Sequence, residues 1–445
     1  MKWHYSHMFR EVSCSKMSIS YYLETYGCSL NSADSDIIVG CLKEIGAHRV
    51  TDQTMADLII LNTCGVKEPT EDKIIHRLED LATKTTPVVI AGCLPKISLK
   101  RIIKTIPEFA AIIGPQSIAS LDEVIQRILN GERGITHLES SKVMKLRWLE
   151  GPPDSVICTI PICEGCLGNC SYCAVKFARG AVQSHLESDI TSVVKRCSHT
   201  GYREIRLTSQ DLGTYGVDIN TNLVHLLRKL DLIEGQHMFR LGMFNPNLVK
   251  DTIDDILAVM QSDHFFKFFH IPLQSGSDKI LQDMQRKYSV QDWEEIVQRI
   301  RLRLNDATIA TDVIVGYPGE SDDDFKMTLD LLQRVKPPIV NISKYGDRPG
   351  TLASKSREKV ETSVKKDRSR ILTKLVNRIL LENNMSWLGW TGPVIVTDKG
   401  SRKGLLCRNP SYKPIIIFDE IPLGSIVSVK IIKAERTQLI GTVIH

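Results

Sequence analysis

The sequence predicts an α/β protein in three parts: an open parallel α/β sheet at the N-terminus, a central partial barrel of six βα units, and a small all-β barrel at the C-terminus. Three observations carry this. Strand-like and helix-like runs alternate from Ser18 to about residue 130. Six further strand-like runs, each trailed by helical periodicity, follow the linker LEGPPDS at Leu149. From Trp390 the pattern becomes short β runs broken by Gly and Pro. The predicted boundaries are 18–140, 150–355 and 385–445, with a charged helical connector over 356–384. Residues 1–17 stand apart as a His/Met-rich leader, either disordered or a start-codon artefact.

In the first part the strands are ISYYLETYGC, DLIILNTCGV, VVIAGCL and AAIIG, and helix-like segments such as NSADSDIIVGCLKEIG and TEDKIIHRLEDLATK separate them. Cys28, Cys64 and Cys93, separated by 36 and 29 residues, each close a predicted strand just ahead of a helix. Open α/β sheets gather ligands at the carboxyl ends of their strands, so the three thiols can converge on one point. Read singly, each would be an ordinary buried thiol.

In the second part the strands are SVICTIPICEGC, EIRLTSQD, MFRLGMFN, KFFHIPLQS, ATIATDVIVG and IVNISKYG. Six units exceed a flavodoxin-like sheet and fall short of a closed eight-stranded barrel. Polar or small residues end these strands and would line the mouth: Ser209, Gln210 and Asp211, then Asn245, Gln274 and Ser275, Gly316, and Lys344. The loop after the first strand holds Cys166, Cys170 and Cys173 in a C-x3-C-x2-C run. Such a local claw suits three irons of a four-iron cluster and leaves the fourth open to a substrate or cofactor. With Cys163 added, the run also reads as a zinc knuckle, although structural zinc sites separate their two ligand pairs by a longer loop. A disulfide framework is disfavoured because nothing resembles a secretory signal peptide.

The third part comprises PVIVTDKG, KGLLCRN, KPIIIFDE, GSIVSVKIIKA and TQLIGTVIH. Such barrels bind nucleic acid or serve as packing modules. The formal charge of +5, from 57 basic and 52 acidic residues, is mild, but basic residues crowd the last third, among them Lys355, Lys365, Lys366, Arg370 and Lys374. A solvated helix face accounts for them, and so does a polyanionic substrate such as RNA. With 42% apolar residues the chain can bury several cores, yet its longest apolar runs are far below the ~20 residues that span a bilayer. No membrane segment is expected.

Taken together, these motifs resemble the methylthiotransferase family of radical S-adenosylmethionine (SAM) enzymes from Tyr22 onward. The matching residues are Gly27-Cys28 with Asn31, Asn62-Thr63-Cys64 and Gly92-Cys93, then the triplet with Tyr172 before its last cysteine and Ala178-Arg179-Gly180 after it. LTSQD at Leu207, HIPLQSGS at His270, MQRKY at Met284, DVIVGYPGE at Asp312 and RPGT at Arg348 are further landmarks. The last part looks like the family's RNA-binding barrel, known as TRAM. AVKFARG lacks the Pro stretch of the branches that act on isopentenyladenosine or on a ribosomal protein. It looks like the archaeal and eukaryotic branch that modifies threonylcarbamoyladenosine beside the anticodon. Without the hydrophobic anchor of eukaryotic members, a soluble, cytoplasmic, archaeal-type enzyme is expected.

The resemblance implies two [4Fe–4S] clusters and SAM as cofactors. Cys166, Cys170 and Cys173 would hold the cluster that binds and cleaves SAM; Cys28, Cys64 and Cys93 would hold a second that carries the sulfur. Tyr172, Ser209, Gln210, Gln274 and Val313, in that order, are the residues expected to hold SAM. Arg179 is either an RNA contact or a salt bridge that holds the cluster loop. Cys163 is expected to lie near the cluster without ligating it, and Cys14, Cys41, Cys158, Cys197 and Cys407 to be ordinary thiols. Expected partners are tRNA, an electron donor and a sulfur donor. Competing readings are the same chemistry on isopentenyladenosine or on a ribosomal protein aspartate, and a non-catalytic zinc-stabilised RNA-binding protein.

Overall fold

A computed structural model of the chain describes residues 19–139, 145–400 and 404–444; the leader at 1–17 lies outside the described residues. The first part is a six-stranded sheet, parallel throughout, in the order His48–Arg49, Ser20–Thr25, Leu58–Thr63, Val88–Gly92, Ala111–Ile113, Ile135–His137. Leu58–Thr63 and Val88–Gly92 are buried along their whole length, as expected of central parallel strands covered on both faces. The outermost strands, only two and three residues long, carry too little periodicity to be read from sequence.

The central part consists of six parallel strands in two three-stranded sheets, Ile157–Pro161, Glu204–Thr208 and Met238–Leu241, then Phe268–His270, Thr308–Val315 and Ile339–Lys344. Single bridges from Phe239 to Phe265 and from Met243 to His270 join the two halves. This is the expected partial barrel. Alternation along each strand separates its faces. Cys158, Ile160, Ile205, Leu207, Phe239, Leu241, Val313 and Val315 pack outward into a core with helix residues such as Trp293 and Ile296. The residues between them, among them Glu204, Arg206, Arg240, His270, Asp312 and Asn341, face inward.

A 24-residue helix, Thr362–Met385, leads to a closed barrel of five strands: Thr391–Lys399, Leu405–Arg408, Pro414–Ile417, Ile426–Ala434 and Leu439–Val443. That barrel plugs the central one from below. Ile395 and Tyr412 cluster with Phe266, Phe268 and Ala310 at the N-terminal ends of the central strands. The Tyr412 hydroxyl donates to Glu204 Oε1 at 2.5 Å, and Lys267 N–H to Pro410 O at 2.7 Å. The N-terminal sheet sits at the opposite end, where Ser29 Oγ lies 2.9 Å from Thr208 Oγ1. Among the described residues, no helix is long and apolar enough to cross a membrane.

Removing a ring buried against four partners costs about 3 kcal/mol or more. Tyr412→Ala is therefore expected to uncouple the C-terminal barrel from the rest, seen in calorimetry as a separate, earlier transition. A single unshifted transition would refute the plug.

Candidate functional site

Both cysteine sets lie where the N-terminal sheet meets the mouth of the central barrel. Cys28, Cys64 and Cys93 follow three adjacent parallel strands and converge because the backbone permits unusually close approach. At Gly27 (φ +123°) a Cβ would stand 2.6 Å from Cys64 Cβ, and at Gly92 (φ +96°) one would stand 2.4 Å from Thr63 O. Only glycine fits both positions, which accounts physically for the two Gly-Cys pairs. Asn31 ties the set together. Its Oδ1 lies 3.6 Å from Cys28 Sγ and 4.0 Å from Cys93 Sγ, while its Nδ2 donates to Thr63 O at 2.9 Å. Cys28 is exposed whereas Cys64 and Cys93 are buried, and burial pushes the Cys93 thiol up to about 11.

Cys166 and Cys170 flank Gly168, whose N–H donates to Cys166 Sγ at 3.2 Å. Ser171 anchors this loop: its Oγ lies 2.8 Å from Asp283 O and 2.7 Å from Tyr317 Oη, and its carbonyl accepts from Ala353 N–H at 2.8 Å. Arg286, within the MQRKY run but not singled out from sequence, donates to Cys170 Sγ at 3.0 Å, Asn245 Oδ1 at 2.9 Å and Tyr288 Oη at 3.1 Å. Burial holds the Cys173 thiol up at about 12.

Cys163 points elsewhere. It is fully buried in a two-residue strand, with Sγ 3.6 Å from Thr214 Oγ1 and 4.0 Å from Asp211 O. Among the described residues, no three His, Cys, Asp or Glu side chains gather at single-ion distance. A tetrahedral zinc site needs such a gathering, whereas each thiolate of a four-iron cluster binds a different iron, so the thiols can stand farther apart.

The two sets are bound together by Arg179, which is 1% exposed. Its Nε donates to Cys93 Sγ at 3.1 Å, one Nη to Glu164 Oε2 at 3.0 Å and the other to Asp34 Oδ2 at 2.5 Å. Lys145 completes the network through an ion pair to Glu164. Burial alone would raise the Glu164 carboxyl, but Lys145 and Arg179 outweigh it and hold it at about 2. The expectation that Arg179 touches RNA is thereby corrected: every edge of its guanidinium is taken by the chain's own groups, which is the salt-bridge reading.

Of the residues expected to hold SAM, Ser209 Oγ, Gln210 Oε1 and Gln274 Oε1 are buried without a hydrogen-bond partner, as is Asp211 Oδ2. Unpaired buried polar atoms cost about 1–3 kcal/mol each, so four at one mouth fit a polar ligand. Gln274 also holds φ +69°, a strain that clusters at ligand sites. Tyr172 is partly buried against the Met284 and Tyr317 cluster. Val313 offers its backbone, bridged to Gln274, to the site, while its side chain lies in the outer core.

Stripping the guanidinium from Asp34 and Glu164 leaves two buried carboxylates to share Lys145, one negative charge in excess. Arg179→Met is expected to cost about 3–5 kcal/mol in denaturant unfolding. Because Glu164 has a folded value below its unfolded one, its contribution is present above about pH 4.5 and fades as pH falls toward 2. The variant should lose that acid-side slope.

Comparison with known proteins matches residues 20–114 to the uncharacterized protein family UPF0004 and residues 160–332 to the radical SAM superfamily. Superfamily membership implies a [4Fe–4S] cluster and SAM. An Archaeoglobus fulgidus protein named "Probable threonylcarbamoyladenosine tRNA methylthiotransferase" is 39% identical over 94% of this chain and 97% of its own. The Drosophila melanogaster threonylcarbamoyladenosine tRNA methylthiotransferase is 33% identical over 95% of this chain and 77% of its own. The radical SAM methyltransferase TsrM from Kitasatospora setae shares the fold at 13% identity, with a TM-score of 0.57 over 76% of this chain and 77% of that one. With near full-length identity of this order, two matching domains and two thiol sets at one mouth, the chain belongs to the threonylcarbamoyladenosine tRNA methylthiotransferase family of radical SAM proteins.

Proposed function

We propose that this protein inserts a methylthio group at C2 of N6-threonylcarbamoyladenosine in tRNA, beside the anticodon. It would use SAM with one [4Fe–4S] cluster on Cys166, Cys170 and Cys173 and a second on Cys28, Cys64 and Cys93. The observation that carries this reading is the facing of two three-cysteine sets across one barrel mouth, with Arg179 reaching from the loop of one to Cys93 of the other.

The target carbon bears an unactivated C–H bond that no side-chain base removes usefully. SAM at a reduced four-iron cluster supplies, when bound, the radical hydrogen abstraction that this bond requires. The chain's own residues do the positioning. Ser209, Gln210 and Gln274 offer unpaired polar atoms for SAM beside the triplet, and Asp211 Oδ2 adds a fourth. Arg286 fixes Cys170 and, through Asn245, the third barrel strand's end. Asn31 and Arg179 fix the opposing set, so the distance between the two is set by packed protein. A base in an anticodon loop is already easier to extrude into such a mouth than one in a helix. The basic C-terminal part is the expected tRNA contact, and an electron donor and a sulfur donor complete the partners.

After anaerobic reconstitution the protein is expected to hold about eight irons per chain, two four-iron clusters' worth. Replacing the three cysteines of either set with Ala should remove about half. A protein that takes up one zinc and no iron would contradict the proposal. Cys163→Ala should keep its full iron, since its thiol faces Thr214 and Asp211. In a host lacking methylthiotransferases but making both modified adenosines, tRNA nucleosides should show a methylthio mass gain on threonylcarbamoyladenosine alone. A gain on isopentenyladenosine, or none, would overturn the substrate assignment.

A further inference from the structure

We infer that Arg206 and Arg240, inside the central barrel, bind the carboxylate of the substrate's threonylcarbamoyl group and so select that base over its isopentenyl counterpart. This rests on the substrate reading just proposed and goes further by naming the residues that make the choice.

The two arginines are neighbours on the inward face. Parallel register pairs Arg206 with Arg240, and the flanking residues Ile205, Leu207, Phe239 and Leu241 all belong to the outer core. Arg206 is partnered, its Nε donating to Glu204 Oε1 at 2.6 Å. Arg240 is not. It makes no hydrogen bond or ion pair with any described residue, its Nε is buried without a partner, and its guanidinium lies 4.5 Å over the Phe268 ring and 5.8 Å from that of Tyr412. The oxygen of Glu204 that neutralises Arg206 is shared with the Tyr412 hydroxyl. Asp312, on the far wall, is taken up by His270 and Asn341, each at 2.9 Å.

Two inward-facing guanidiniums therefore have one buried carboxylate between them, Glu204, whose other oxygen is also unpaired. A desolvated cation without a counter-charge is expensive, and the arrangement calls for an anion from outside. The inward face is not sealed: the side chains of Arg206 and Asp312 are 30% and 29% exposed. A carboxylate meets guanidinium forks with two parallel hydrogen bonds. The threonylcarbamoyl arm ends in one and is polar along its length, whereas an isopentenyl arm would leave Arg240 without a counter-charge. Sites built to pair a polar group reject analogues that lack it. The carboxylate of SAM is the other source of the same chemistry. Arg286, at Cys170, stands at the triplet, while Arg240 lies deeper in the barrel against the Tyr412 floor, so we assign Arg240 to the base.

The test uses the reconstituted full chain and three synthetic anticodon stem–loops bearing threonylcarbamoyladenosine, isopentenyladenosine or adenosine at the target position, with affinities read by fluorescence anisotropy and SAM affinity by equilibrium dialysis. Wild type is expected to favour the threonylcarbamoyl loop by about tenfold or more. Arg240→Met should erase that preference while leaving adenosine-loop and SAM affinity unchanged, and Arg240→Lys should restore part of it. A preference that survives Arg240→Met overturns the inference. Loss of SAM affinity with the preference intact assigns the arginine to SAM, and equal loss on all three loops makes it structural; either overturns it too. Should Arg240→Met fail to fold by circular dichroism, Arg206→Gln carries the same test with the same outcomes. A wild type that methylthiolates threonylcarbamoyladenosine in cells while the variant keeps its preference refutes this inference alone; a wild type that neither methylthiolates that base in cells nor favours its loop refutes the function proposed above.

Discussion

The buried charge cluster of Asp34, Arg179, Glu164 and Lys145 is the constraint on which the rest of the molecule depends. It takes one member from the helix after Cys28, one from the turn before the first barrel strand, one from the strand leading into the triplet and one from the helix after it. Two cations and two carboxylates balance, so burial carries no net charge. Breaking such a set is far costlier than its presence is stabilising. The two halves of the mouth are therefore held in one arrangement, and the thiol of Cys93, hydrogen-bonded to Arg179, belongs electrostatically to both. A second contact of the same kind, Arg348 with Glu71, ties the last barrel loop to the N-terminal sheet; both side chains are buried.

The central barrel is open along its side but closed at its ends. The N-terminal sheet covers the carboxyl ends of its strands, as expected for the ligand end of a parallel barrel. The C-terminal barrel fills the other end with Tyr412 and Ile395. The interior thus grades from aromatic at the floor, through a polar layer of arginine, histidine and aspartate, to thiols and unpaired amides at the mouth. That gradient suits a ligand whose reacting atom stays near the surface while a polar arm reaches inward.

Much of this was legible in the sequence, because glycine and cysteine leave unambiguous marks. Cys28, Cys64 and Cys93 each closed a strand readable from its apolar run, and the structure shows why Gly27 and Gly92 precede two of them: any side chain there would collide. The parallel fold followed from the alternation of strand and helix. What was not legible depended on contacts across long separations. Arg179 read equally as an RNA contact and as a salt bridge, because its partners Asp34 and Glu164 come from other elements. That Val313 could serve the ligand only through its backbone depends on strand parity, which turns its side chain outward. Arg286 and Arg240 gave no signal, since a lone arginine in a strand or turn is ordinary until its neighbours are known.

The floor residue also imposes an order in time. Tyr412 follows Cys173 by 239 residues, so at roughly 5–20 residues per second the ribosome delivers all six cysteines about 10–50 s before the residue that closes the barrel from below. The growing chain carries both thiol sets through that interval with an unsealed interior, and a domain made after them is the one that completes it.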